Sequence, residues 1–175
     1  MKKTLLKLIE YSILPAILMV LGKFAGIFFV SSLWNIPLDF DSANHNLLQF
    51  NTFVPADSLM LVSSYSDLIM FTTVLIGMSF ILIKAIYFHD SHISNESIAK
   101  LAKFNLLNMI STSFKLYHSG IIWLGFMWMA TLLIIINYFQ GLSYSWVLMI
   151  SLLFSLSFSI IFFKDLFAEI DLIKK

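Results

Sequence analysis

Residues 11–34 read YSILPAILMVLGKFAGIFFVSSLW, a run of 24 residues with one charge, Lys23. As an α-helix this run rises about 36 Å, enough to cross a hydrocarbon core of about 30 Å with some tilt. The ten residues before it, MKKTLLKLIE, are basic and short, like the n-region of a signal peptide. The run is longer than a usual signal core, and no small-x-small cleavage site follows it. We therefore read it as a retained spanning helix. Pro15 falls in its first turns, where a membrane helix tolerates the lost hydrogen bond.

The composition agrees with that reading. Of the 175 residues, 59% are hydrophobic and 12% charged, against about 25% charged in a soluble domain. A net charge of +1 leaves no electrostatic footprint for nucleic acid. All eleven basic residues are lysine. The bidentate fork that clamps phosphates and carboxylates is therefore missing, which disfavours nucleotide chemistry. The chain has no cysteine, so disulfides, thiol nucleophiles, iron–sulfur clusters and thiolate zinc sites are excluded.

Three further apolar runs complete an all-α membrane protein, read as a single domain over residues 1–175. Its expected spans are 11–34, 67–88, 119–138 and 144–163. The last two are joined by the short, uncharged Phe139-Gln140-Gly141-Leu142-Ser143, which makes them an antiparallel hairpin. Trp34, Tyr87, Tyr138, Tyr144 and Trp146 fall near span ends, as an aromatic belt would place them. The connector 35–66 carries Asp39, Asp41 and Asp57 and no lysine. Its DFDSANHN segment is not a calcium loop: Ala43 stands at the third ligand position, the glycine is missing, and Phe50 occupies the place of the bidentate Glu.

Lysines set the expected orientation. Lys2, Lys3 and Lys7 precede the first span. Lys84, Lys100, Lys103 and Lys115 lie in the connector between spans two and three, and Lys164, Lys174 and Lys175 follow span four. The other two connectors have none. The positive-inside rule then puts both termini and the middle connector in the cytoplasm, in a multi-pass protein of the cell membrane. Within that connector, Ile98, Ala102, Leu106, Met109 and Leu116 share one helical face and Ser97, Lys100, Asn108, Ser111 and Lys115 the other. This predicts a cytoplasmic amphipathic helix over 96–116, lying in the membrane interface.

Four features could carry chemistry. The first is the set His89, Asp90, His92 and His118, whose imidazoles and carboxylate suit a zinc, iron or manganese ion. A straight helix over 96–116 would hold His118 about 30 Å from His92, so joint ligation needs a fold-back near Ser111. The second is Lys23, whose ammonium is costly inside a bilayer and whose stem should lean toward the helix N-terminus. It lies between Gly22 and Gly26, a spacing that admits another helix closely. Asp67 is its candidate counter-ion. The two are level if span two begins near Ser58, and half a membrane apart if it begins at Asp67. The shorter span fits the bilayer better and leaves them apart. The third feature is Ser151, Ser155 and Ser159, a one-face series that favours helix packing. The fourth is the Met and aromatic content of span three (Trp123, Phe126, Met127, Trp128, Met129), read as core and lipid-facing surface. No histidine lies mid-span, so paired haem ligation is not expected, and no cofactor is implied.

No convergent catalytic set emerges. The leading expectation is a small polytopic inner-membrane protein that works by interaction, as a scaffold or subunit among other membrane-protein subunits, with the lipid bilayer as its solvent. The alternatives are a small transporter or channel using Lys23 and Asp67, and a membrane-embedded metal-dependent enzyme using His89, His92 and His118.

Overall fold

A computed structural model describes residues 2–38, 54–87, 103 and 113–173. Among these residues the regular secondary structure is all helical: α1 spans Lys2–Leu33, α2 Leu59–Tyr87, α3 Ser113–Phe139 and α4 Ser145–Ile173, with a 3-10 turn at Ala56–Ser58 before α2. Each of the four α-helices is long and apolar enough to cross a membrane.

The helices overrun the expected spans. α2 begins at Leu59 instead of Asp67. Its first turns, LMLVSSYS, carry three serines and read as loop when polarity alone is counted. Inside a helix a serine hydroxyl can bond to a carbonyl one turn back, as Ser64 does with Met60 at 2.6 Å and Ser66 with Ser63 at 3.0 Å. α4 runs on past Phe163 to Ile173. Most of the predicted interfacial helix over 96–116 lies outside the described residues, but Ser113–Leu116, assigned to it, belong to the first turn of α3.

Two helix ends are closed by the same device. The last turn of α1 is capped by Asn35 at φ 52°, with Ile36 N–H donating to Ser31 O at 2.9 Å. The last turn of α3 is capped by Gly141 at φ 74°, with Leu142 N–H donating to Asn137 O at 2.8 Å. A left-handed residue with this six-to-one bond satisfies carbonyls that the helix end would otherwise orphan. The chain then reverses into α4, and Tyr144 N–H donates to the Ser64 hydroxyl of α2 at 2.9 Å. That bond pins the α3–α4 turn to the side of α2.

α2 is the central helix and packs against the other three. Its buried side chains Met70, Phe71, Val74, Met78, Ile81 and Leu82 meet Trp123, Leu124, Met127, Ala130 and Ile134 of α3 and Val147 and Phe162 of α4. The Trp123 ring occupies the space that a side chain at Gly77 would need, and Phe162 does the same at Gly120. Because the α3–α4 turn sits beside Ser64, the first residues of α2 and the last turns of α1 project past it. There Ile27, Val30, Val54 and Val62 form a second, smaller apolar cluster. Trp34, Tyr65 and Trp146 bridge α1, α2 and α4 at this end, with ring centroids 5.3 and 5.7 Å apart. The side chain of Tyr87, assigned to the aromatic belt, lies outside the described set.

Between α1 and α2 the contact is backbone to backbone. A Cβ at Gly26 would lie 2.7 Å from Ser66 Cα, and one at Gly22 would lie 2.5 Å from Thr73 Oγ1 and 3.1 Å from Met70 Cα. In lipid no hydrophobic force presses helices together, so close approach of small residues supplies the dispersion contact instead. Gly26→Ala should therefore cost about 1–3 kcal/mol in unfolding measured in detergent, as overpacking does. Gly125 faces open space, and Gly125→Ala should be neutral or stabilising by up to about 1 kcal/mol through helix propensity. Equal effects at the two positions would contradict the packing described.

Candidate functional site

Lys23 and Asp67 meet inside the bundle. The Lys23 ammonium donates to Asp67 Oδ1 at 2.5 Å, to the Ser66 hydroxyl at 2.9 Å and to the Ser63 carbonyl at 3.4 Å. The other carboxylate oxygen, Asp67 Oδ2, accepts from Asn137 Nδ2 at 2.7 Å. Side-chain exposure is 11% for Lys23 and 1% for Asp67. An ammonium has three donors and all three are used. Both carboxylate oxygens are used as well. Asn137 must turn its amide nitrogen, not its oxygen, toward an acceptor-only carboxylate. The site thus ties α1, α2 and α3 together through one charge-neutral pair.

The early start of α2 creates this site. Asp67 lies eight residues into the helix, about 12 Å from its first residue. Asn137 lies two residues before the end of α3, about 3 Å of rise. The pair is therefore shallow with respect to α3, close under the α3–α4 turn. The lysine stem also runs the other way from expectation. Gly26 faces Ser66, and the ammonium of Lys23 bonds the Ser66 hydroxyl, so the stem extends toward the C-terminal end of α1. The intrinsic lean of a helical side chain is small beside the attraction of a buried carboxylate.

The serine series forms the seam between α3 and α4. Thr131 Oγ1 donates to Met127 O at 2.9 Å, and it lies 2.7 Å from Ser155 Oγ, so Ser155 is the donor between them. Trp128 Nε1 donates to Ser159 Oγ at 2.9 Å, and Ser151 Oγ bonds back to Leu148 O. Span three accordingly divides: Trp123 and Met127 are core, Met129 is half exposed, and Trp128 carries a polar contact.

Sequence reasoning passed over three participants. Asn137 looked like a residue at a span end. Asp165 and Glu169 fall beyond Phe163, the expected end of the fourth span. In the structure Tyr117 donates to Asp165 Oδ2 at 2.9 Å, and Glu169 is buried at 4% exposure. The signal was present: Phe162, Asp165 and Glu169 share one helical face, with Leu166, Phe167 and Ile170 continuing the apolar pattern.

The histidine set is divided. His89, Asp90 and His92 lie outside the described residues, while His118 sits half-buried in the second turn of α3. Among the described residues no group of three His, Asp or Glu is placed to hold a metal ion. Compared with known proteins, the chain matches no family model, no curated protein and no solved structure.

Removing one partner of a buried pair strands the other. Asp67→Leu should cost about 3–5 kcal/mol of unfolding free energy. Asn137→Leu removes one bond to a charged acceptor and should cost about 1.5–3 kcal/mol. Denaturation of the purified variants in a mild detergent measures both.

Proposed function

We propose that this is a multi-pass protein of the cell membrane, with both termini cytoplasmic, that works by interaction as a scaffold or subunit of a membrane complex. The observation that carries this reading is the saturation of the Lys23–Asp67 pair. The ammonium spends its three protons on Asp67, Ser66 and Ser63, and the carboxylate spends its second oxygen on Asn137. Every ammonium proton and both carboxylate oxygens are thus engaged by protein groups of three helices, which is the arrangement of a structural pair. The polar residues within the helices serve packing, and the outward faces are left to lipid and partners. Lys84 and Lys164 fall at the opposite end of the bundle from the α3–α4 turn, which supports that end as the cytoplasmic one.

Transport through the bundle is the competing reading, resting on the same pair, and the two separate in one variant. Lys23→Met/Asp67→Leu replaces a buried ion pair by apolar groups of similar size, a change that is commonly neutral or stabilising by about 1–4 kcal/mol. A scaffold needs only the fold. The double variant should therefore recover the stability lost in Asp67→Leu, and it should co-purify from mild detergent with the same membrane partners as the wild type. A transporter needs the charges. Loss of a physiological function in a double variant that is folded and still binds its partners would refute the scaffold reading.

A further inference from the structure

Three serine hydroxyls among the described residues are buried and meet no hydrogen-bond partner: those of Ser31, Ser63 and Ser143. These residues are only 3%, 3% and 2% exposed. The other buried hydroxyls, on Ser64, Ser66, Thr131, Ser151 and Ser155, are all bonded. A dry, unpaired hydroxyl costs about as much as a lost hydrogen bond, and natural proteins rarely leave one. A helical serine can always turn back to the carbonyl of the preceding turn. Ser64, Ser79 and Ser159 do so; Ser31 and Ser63 do not, and Ser143 lies in the α3–α4 turn.

All three lie toward one end of the bundle, on the α3–α4-turn side of the ion pair. Ser63 lends its carbonyl to the Lys23 ammonium. Ser143 sits between Leu142, whose carbonyl is 3.5 Å from the Ser64 hydroxyl, and Tyr144, whose N–H donates to that same hydroxyl. Ser31 is two i+4 steps beyond Lys23 along α1, in the direction the ammonium reaches. On the other side of the pair α2 presents Met70, Phe71, Val74 and Met78, all buried and apolar.

The geometry points to bound water at this end of the bundle, bridging the Ser31, Ser63 and Ser143 hydroxyls to the Lys23–Asp67 pair and hydrating that pair from the side of the α3–α4 turn only. Water fits better than a cation. The carboxylate charge is already neutralised by Lys23, and the three hydroxyls add no net charge. Each hydroxyl both donates and accepts, which matches a water making two to four bonds. The assignment concerns the solvent of the pair and not its task, so it stands whether the protein is a scaffold or a carrier.

The absence of cysteine from the chain gives a clean test. Ser63→Cys, Ser143→Cys and Ser155→Cys each create the sole thiol in the full-length protein, reconstituted in liposomes. Silver ion, close to water in size, is added first, and the denatured protein is then labelled with a maleimide to count unreacted thiols. Silver should protect positions 63 and 143 about tenfold faster or more than position 155, since exclusion from a dry site at the cost of one unmade bond is worth about that factor. Equal rates at the three positions would overturn the assignment. Ser63→Ala provides a second readout through the sign of its effect. If water bridges the hydroxyl, deleting it lowers Tm. A Tm that holds or rises would show the hydroxyl to be dry and unpaired.

Discussion

The constraint on which this bundle depends is that an ammonium and a carboxylate have been taken out of bulk solvent together. Desolvating each ion is costly, and their attraction offsets that cost only when the geometry is good and the remaining donors and acceptors are met. Every part of the local fold serves that condition. Gly22 and Gly26 let the α1 backbone approach α2 closely enough for the Lys23 stem to reach across. Ser66 and the Ser63 carbonyl take the other two protons. Asn137 brings in α3 and meets the second carboxylate oxygen. In lipid, where apolar surface gives helices no reason to associate, a pair of this kind specifies which helices are neighbours and in what register.

The rest of the bundle is held by smaller terms distributed along its seams. Trp123 over Gly77 and Phe162 over Gly120 fit large rings into the gaps left by glycines. The Thr131–Ser155 and Trp128–Ser159 contacts give α4 its register on α3. Tyr117 and Asp165 tie the same two helices at the far end. α4 is the least enclosed of the four, and Met149, Leu153, Leu156, Ile160 and Phe167 lie on its exposed surface. The bundle is thus tightly specified at the α1–α2 contact and open along α4. That division suits a protein whose inner face is structural and whose outer face meets lipid or other chains.

Much of this was legible in the sequence. The four apolar runs, the α3–α4 hairpin, the small-residue pair around Lys23 and the one-face serine series all follow from composition and period. The start of α2 did not. Polarity makes Ser58 to Ser66 look like loop, and a span of about 20 residues is enough for a bilayer, so counting favoured the shorter helix. That one boundary decides whether Lys23 and Asp67 meet. The far end of α4 was missed for the same reason: the bilayer requirement is already met at Phe163, which leaves Asp165 and Glu169 beyond the expected span. Asn137 was invisible because its role depends on how far α2 projects past the α3–α4 turn, a tertiary quantity that no local pattern encodes. Residues 88–102, with His89, Asp90 and His92, lie outside the described part of the chain.

The central claim is that Asp67 pairs with Lys23 within the bundle. The most direct measurement is infrared spectroscopy of the carboxyl stretch, with isotope-labelled aspartate and Asp67→Asn as the reference that identifies the band. The account predicts that the Asp67 band moves when Lys23 is replaced by Met, because the carboxyl oxygen loses the ammonium from which it accepts. A band indifferent to Lys23→Met would contradict the account.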